Sequence, residues 1–232
     1  MESSTRPTDN IFCGCYVFEP HPVRVYGNIA KFTGKTCGAM PHASIDDKGP
    51  ADASADRDFR PDVMLRDGEM VSGDGWTIEA VTTPGHTANH MAYALKEKST
   101  LFAGDHVMAW ATSIVAPPDG AMSDYMDSLA KLSRRSEAIY LPGHGPAITD
   151  APRFVSYYIL HRKAREDSIL HRLSKGATDI PTIVRAIYIG IDPRLTGAAG
   201  LSVLAHLEDL VARGVVETDG QPAIDGVYRL VG

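Results

Sequence analysis

Cysteine is scarce: Cys13, Cys15 and Cys37 are the only three in 232 residues. An odd number, with two of them one residue apart, forms no disulfide framework and reads as a chain of the reducing cytoplasm. Positive charge is short as well, with 23 Lys and Arg against 29 Asp and Glu for a net charge of −6. That balance excludes a general attraction to nucleic acid or to an anionic membrane surface. No apolar run approaches the length of a membrane span. The apolar stretch Ile11 to Phe18 lacks a basic leader and contains Gly14, so it serves poorly as a signal sequence. What the chain does have is 44% hydrophobic residues, enough to bury a core in one large domain or in one domain with a small appendage.

Three short segments stand out. Thr82-Thr83-Pro84-Gly85-His86-Thr87, Gly104-Asp105-His106 and Pro142-Gly143-His144-Gly145 each follow a run that reads as a β-strand. Trp76 to Val81 alternates apolar and polar residues, Leu101 to Ala103 is apolar, and Ala138 to Leu141 is β-rich. Gly and Pro at a strand end turn the chain sharply and set the next side chain clear of the sheet edge, where layered α/β folds place ligand chemistry. Two imidazoles and one carboxylate presented this way suit zinc, or a harder ion such as manganese or iron. Taken singly, each of these residues is as well explained by capping or surface duty.

His86 in TPGHT, Asp105 in GDH and His144 in PGHG resemble, in order and spacing, the later metal-binding motifs of the metallo-β-lactamase superfamily. From about Ile29 onward the text is similar to the subgroup typified by β-lactamase-like protein 2. The resemblance implies an α/β fold, the αββα sandwich of that superfamily, followed by a small winged-helix-like domain. It also implies that Asp105 bridges two metal ions, that His86 sits on the first and that His144 sits on the second, with Zn2+ as the cofactor and two ions in intact relatives.

The opening motif of the family, His-x-His-x-Asp-His, occurs nowhere in the sequence, and the only histidine before Ile29 is His21. Of seven metal-binding groups three remain, so the expectation is an incomplete sandwich with reduced or no metal occupancy and no assignable catalytic residue. Residues 1–28 fit no element well and are expected to be an atypical segment, a truncated, recombined or frame-shifted beginning. Residues 29–175 are assigned to the metallo-β-lactamase-like domain and 176–232 to the winged-helix-like domain.

Within the first of these, Ile29 to Phe32 reads as a helix end, Lys35 to Met40 as a strand, and Ala51 to Asp62 as a surface loop containing Asp56, Arg57, Asp58 and Arg60. His42 is read as a loop residue. Val63 to Leu65 and Met70 to Ser72 read as β runs about an Asp67-Gly68 turn, and His90 to Leu95 as a strand. His90 and His106 are read as supporting or core histidines, because neighbouring turns and alternation aim them away from the ion that His86 or Asp105 would hold. Met122, Tyr125, Met126, Leu129 and Leu132 recur at helical spacing, with Ser123 as a nearby cap.

A long helix is expected from Pro152 to the Gly176 stop. On it His161, Arg162, Lys163 and Arg165 read as a solvated face or, more sharply, as a phosphate-facing patch. Pro181 opens another helix, Leu201 to Val211 forms a third, and Val215 to Glu217 pairs with Val227 to Leu230, the order of a winged helix. The helix from Leu201 carries Glu208 and Asp209 against Arg213 alone, which argues for packing or dimer contact over groove reading.

The resemblance therefore implies a metal-dependent hydrolase in which metal-bound hydroxide attacks an ester, phosphodiester, thioester or amide. The substrate would be a small molecule or a phosphodiester. Nucleic acid stays open as a partner without support from charge, as does a homodimer, and a membrane is not expected. The competing reading is a non-catalytic remnant acting as an interaction or dimerisation module.

Overall fold

The structure, a computed structural model, describes residues 63–109 and 111–232. The expectations for residues 1–28, for Ile29 to Phe32, Lys35 to Met40 and Ala51 to Asp62, for His21 and His42, and for the three cysteines lie outside the described residues. Five strands form one sheet: β1 (Met70–Gly73), β2 (Trp76–Thr82), β3 (Met91–Leu95), β4 (Thr100–Gly104) and β5 (Ile139–Pro142), in the order β1-β2-β3-β4-β5. The first four pair antiparallel, and β5 joins β4 in parallel.

Alternation along the strands decides which side chains meet. Val81, Ala92, Ala94, Leu101, Ala103 and Tyr140 point to one face, where helices cover them. Ala80, Met91, Tyr93 and Phe102 are their immediate neighbours in sequence and, with Ile78 two residues before Ala80, form a second buried cluster on the opposite face.

On the first face lies α1 (Met122–Leu132), whose Met122, Tyr125, Leu129 and Leu132 are buried at the three- and four-residue spacing read from the sequence. Ser123 does not cap it, and the residue before the helix, Ala121, offers no side-chain bond. The long helix α2 (Ala151–Leu173) is capped by the Asp150 carboxylate, which accepts from the Arg153 N–H, with Pro152 in its first turn. Its first half, with Val155 and Tyr158, enters the core beneath the sheet, while Ile169 and Leu173 enter a second core.

That second core belongs to a C-terminal unit made of β6 (Thr178–Asp179), α3 (Ile180–Ile187), α4 (Thr196–Ala212), β7 (Val216–Thr218) and β8 (Val227–Leu230). Its sheet has the order β6-β8-β7, and Val216 pairs with Leu230. Asp179 caps α3 by accepting from the Thr182 N–H at 2.9 Å. Nearly every side of α4 is buried, because Val203, Leu207 and Leu210 face the second core and Ala205 faces the first.

Four readings need correction. Val63 to Leu65 is shortened from a strand to a single β-bridge residue, Met64, and further along the Gly68 N–H donates to the Ala80 carbonyl at 2.7 Å. The helix expected from Leu201 starts at Thr196, since packing on two cores overrides the low propensity of Gly197 and Gly200. Pro193–Ala212 does reach 20 residues of membrane-span length, but half of it is buried inside the protein, with Val203, Leu207 and Leu210 in one core and Ala205 in the other. The basic cluster on α2 is not a solvated face at Arg162, which is 3% exposed.

Candidate metal centre

The strand directions bring the three marked segments to one place. Because β2 and β4 both run antiparallel to the strand between them, and β5 runs parallel to β4, the C-terminal ends of β2, β4 and β5 share one edge of the sheet. The start of β3, next to His90, lies on the same edge, with Met91 opposite Thr82.

At the end of β2 the Thr83 N–H donates to the His90 carbonyl at 2.9 Å, and the Gly85 N–H to the Thr87 carbonyl at 3.0 Å, which folds the loop into a tight cup. Gly85 has φ of +125°, and a Cβ there would lie 2.3 Å from the backbone of Tyr125. Only glycine allows the loop to come this close to α1. The contact is fastened by Ser128, whose hydroxyl donates to the Pro84 carbonyl at 2.7 Å. Gly145 plays the same part beside His144, where a Cβ would meet Ala109 at 2.9 Å.

His86, Asp105 and His144 converge. The Nε2 of His86 lies 3.9 Å from Oδ2 of Asp105, and the Nε2 of His144 lies 3.6 Å from Oδ1 of the same carboxylate. Each histidine thus faces a different oxygen. Among the described residues no group of three or more His, Cys, Asp or Glu side chains is set to close on a single ion. Two donors at about 2.0–2.1 Å from one zinc are about 3.3 Å apart at the tetrahedral angle. Both gaps are several tenths of an ångström wider, close enough for a cation to draw each pair together, one ion to a pair.

The imidazole of His86 is oriented by the chain. Its Nδ1 lies 2.6 Å from the carbonyl of Ile114. A carbonyl can only accept, so Nδ1 donates a proton to it, and the ring is turned with Nε2 toward Asp105. Asp105 is oriented in turn by His90, whose Nε2 accepts from the Asp105 N–H at 3.2 Å while Nδ1 donates to the Thr83 hydroxyl at 2.7 Å. Burial, and secondarily the neighbouring His86 ring, pushes His90 down to about 3. The ring is therefore neutral, as both bonds demand. His106 is fully buried against Tyr125, with ring centroids 4.5 Å apart, and burial foremost, with neighbouring histidines and the Arg162 guanidinium adding to it, holds it well below the usual histidine range.

His106, Ala109, Ser113 and Ile114 make backbone contacts beside the site. The Ser113 and Tyr125 hydroxyls both donate to the His106 carbonyl, at 3.0 and 2.8 Å, and the Ala109 N–H donates to the His144 carbonyl at 3.3 Å. Sequence reading placed the three converging side chains but did not find Ile114, Ser113, Tyr125 or Arg162 as their supports. Backbone carbonyls carry no sequence signal, and Arg162 lies 49 residues from its partner Ser113.

The profile described as metallo-beta-lactamase superfamily matches residues 12–144, and that described as beta-lactamase associated winged helix domain matches residues 180–225. The lactamase-like protein adaB of Aspergillus niger is 30% identical over 173 residues, covering 68% of this chain and 53% of its own. A beta-lactamase-like protein 2 homolog of Caenorhabditis elegans is 34% identical over 153 residues, covering 65% and 50%. The chain spans about half the length of these curated relatives. Among solved structures, a metallo-beta-lactamase family protein of Thermus thermophilus superposes with a TM-score of 0.64 at 26% identity, covering 75% of this chain and 55% of that one.

Proposed function

The chain belongs to the metallo-beta-lactamase superfamily and carries the winged helix associated with it, and on that premise we propose a metal-dependent hydrolase. Zinc is the cation that the two imidazoles and one carboxylate suit best. His86 with Oδ2 of Asp105 would hold one ion, and His144 with Oδ1 the other. The observation that carries this reading is the convergence of three side chains: the Ile114 carbonyl accepts from Nδ1 of His86 at 2.6 Å, which turns Nε2 toward one carboxylate oxygen of Asp105, while His144 faces the other oxygen.

When bound, the cations supply Lewis acidity at the carbonyl or phosphoryl centre of an ester, phosphodiester, thioester or amide. The protein's own part is positional. His90 fixes the Asp105 backbone, Ile114 fixes the His86 ring, and Ala109 holds the His144 carbonyl.

A non-catalytic interaction module is the second reading, favoured by the absence of His-x-His-x-Asp-His from the sequence. Elemental analysis of the purified full chain, paired with assays on a nitrophenyl ester and a nitrophenyl phosphodiester, separates the two. About two tightly held ions per chain and metal-dependent turnover support the hydrolase, while no bound metal and no turnover reject it.

A further inference from the structure

Arg162 is an unusual residue for a helix interior. It is 3% exposed, and among the described residues it forms no ion pair. One NH2 group donates to the Ser113 carbonyl, the other lies 3.5 Å from the Ser202 hydroxyl of α4, and the guanidinium carbon sits 5.0 Å from the centre of the Tyr125 ring. Its Nε has no hydrogen-bond partner among the described residues. A guanidinium buried without a carboxylate is costly, and a methionine would fill much the same space without that cost.

What the charge secures is the segment beside the candidate metal centre. Arg162 holds the Ser113 carbonyl directly. It also packs on Tyr125, whose hydroxyl holds the His106 carbonyl at 2.8 Å. Both ends of the segment are thereby fastened. The next carbonyl after Ser113 is that of Ile114, which receives the Nδ1–H of His86.

We propose that Arg162 is a positioning residue for His86: by holding the Ser113 carbonyl it sets the Ile114 carbonyl where it fixes the His86 tautomer, leaving Nε2 for a cation. The metal-binding half of this statement rests on the function proposed above; the tautomer half does not. Guanidinium suits the task because it is charged at every working pH and offers several donors in a rigid plane, which lets it bind a carbonyl and pack on a ring together.

The test uses the full chain, free of metal, with 15N-labelled histidine, and His86 assigned from the signal lost in His86→Gln. The wild type is expected to show His86 protonated on Nδ1 alone. Arg162→Met is expected to mix the two tautomers, and Arg162→Lys, which reaches Ser113 with a less directed donor, to do so in part. Cobalt titration of the same samples is expected to show affinity about 10-fold or more weaker in Arg162→Met. A purely structural role would lower the unfolding midpoint and leave the His86 signal at its wild-type position. That result in either variant overturns the proposal; if Arg162→Met does not fold, Arg162→Lys decides by the same signal. Should the wild type bind no cobalt, the metal reading fails while the histidine spectra still judge Arg162.

Discussion

Asp105 presents its two carboxylate oxygens to two different histidines, Oδ2 to His86 at 3.9 Å and Oδ1 to His144 at 3.6 Å. The histidines come from the ends of β2 and β5, so the carboxylate at the end of β4 is the only group common to both pairs. This geometry separates the roles of the three residues. A shared oxygen donor, once removed, weakens both sites; a histidine, once removed, weakens one.

Metal titration of single variants follows from that separation. Asp105→Asn is expected to lose both binding events, whereas His86→Ala and His144→Ala should each lose one and keep the other. Losses of about 10-fold or more are expected for each affected event. A competition titration against a chromophoric chelator counts the events. If either histidine variant abolishes all binding, the two pairs do not act as separate sites.

Gly85 offers a test of how the His86 loop is held. Its φ of +125° is closed to residues with a side chain, and a Cβ would stand 2.3 Å from Tyr125 backbone atoms, which cannot yield without moving α1. Gly85→Ala is expected to destabilise the protein by at least about 2 kcal/mol, combining backbone strain with overpacking. Gly68 also has positive φ, +78°, but with nothing within 4 Å of its would-be Cβ. Gly68→Ala should therefore cost only about 1 kcal/mol. Urea unfolding of the two variants reads the difference.

The strands and the three loops were legible because their signals are local. Period-two alternation marks β2 and β3, a short apolar run marks β4, and Gly or Pro marks where the ligand-bearing strands end. The long helix was legible from Pro152 and Gly176 for the same reason. What escaped depends on distant contacts. The first turn of α4 is helical despite Gly197 and Gly200 because Ala199 and Val203 pack on a core that α2, α3 and β8 complete. Arg162 reads as one of a run of surface cations, and only the approach of Ser113, 49 residues earlier, and Ser202, 40 residues later, reveals it as buried. The two-residue strand β6 has too few positions to show any period; its partner Tyr228 is 50 residues away in sequence from Thr178.

On the sheet, Glu79 is the hub of a charge network. Arg135 reaches both of its oxygens, at 2.8 and 3.1 Å, and Lys96 reaches one at 2.9 Å. The bonds from Arg135, then those from Lys96, outweigh burial and pull the Glu79 carboxyl down to about 2. In the unfolded chain it titrates near 4.5. The network's contribution is therefore full above pH 4.5 and lost as pH falls toward 2. Glu79→Gln is expected to cost about 1–3 kcal/mol at pH 7, the range for hydrogen bonds to charged groups. The gap between variant and wild type should shrink in acid, as measured by chemical unfolding at pH 7, 4 and 3.

His206 sets a different pH dependence. It lies on α4, 1% exposed, and neither ring nitrogen finds a hydrogen-bond partner among the described residues. Burial first, and then the cationic surroundings of Arg162, Arg165, His161 and Arg213, push it down to about 3 from an ordinary 6.5. Between those two values the unfolded chain takes up a proton that the folded protein refuses. Stability therefore holds above about pH 6.5 and falls as the medium is acidified, by up to about 1.4 kcal/mol per pH unit from this one side chain. Other buried histidines, His90 and His106, add to the same trend in wild type and variant alike, so the comparison isolates His206. His206→Leu keeps a side chain of similar bulk without the titrating ring, and its unfolding free energy should fall less steeply between pH 6.5 and 5 than that of the wild type. Parallel slopes for the two proteins in urea titrations across that interval would show that α4 accommodates the imidazolium after all.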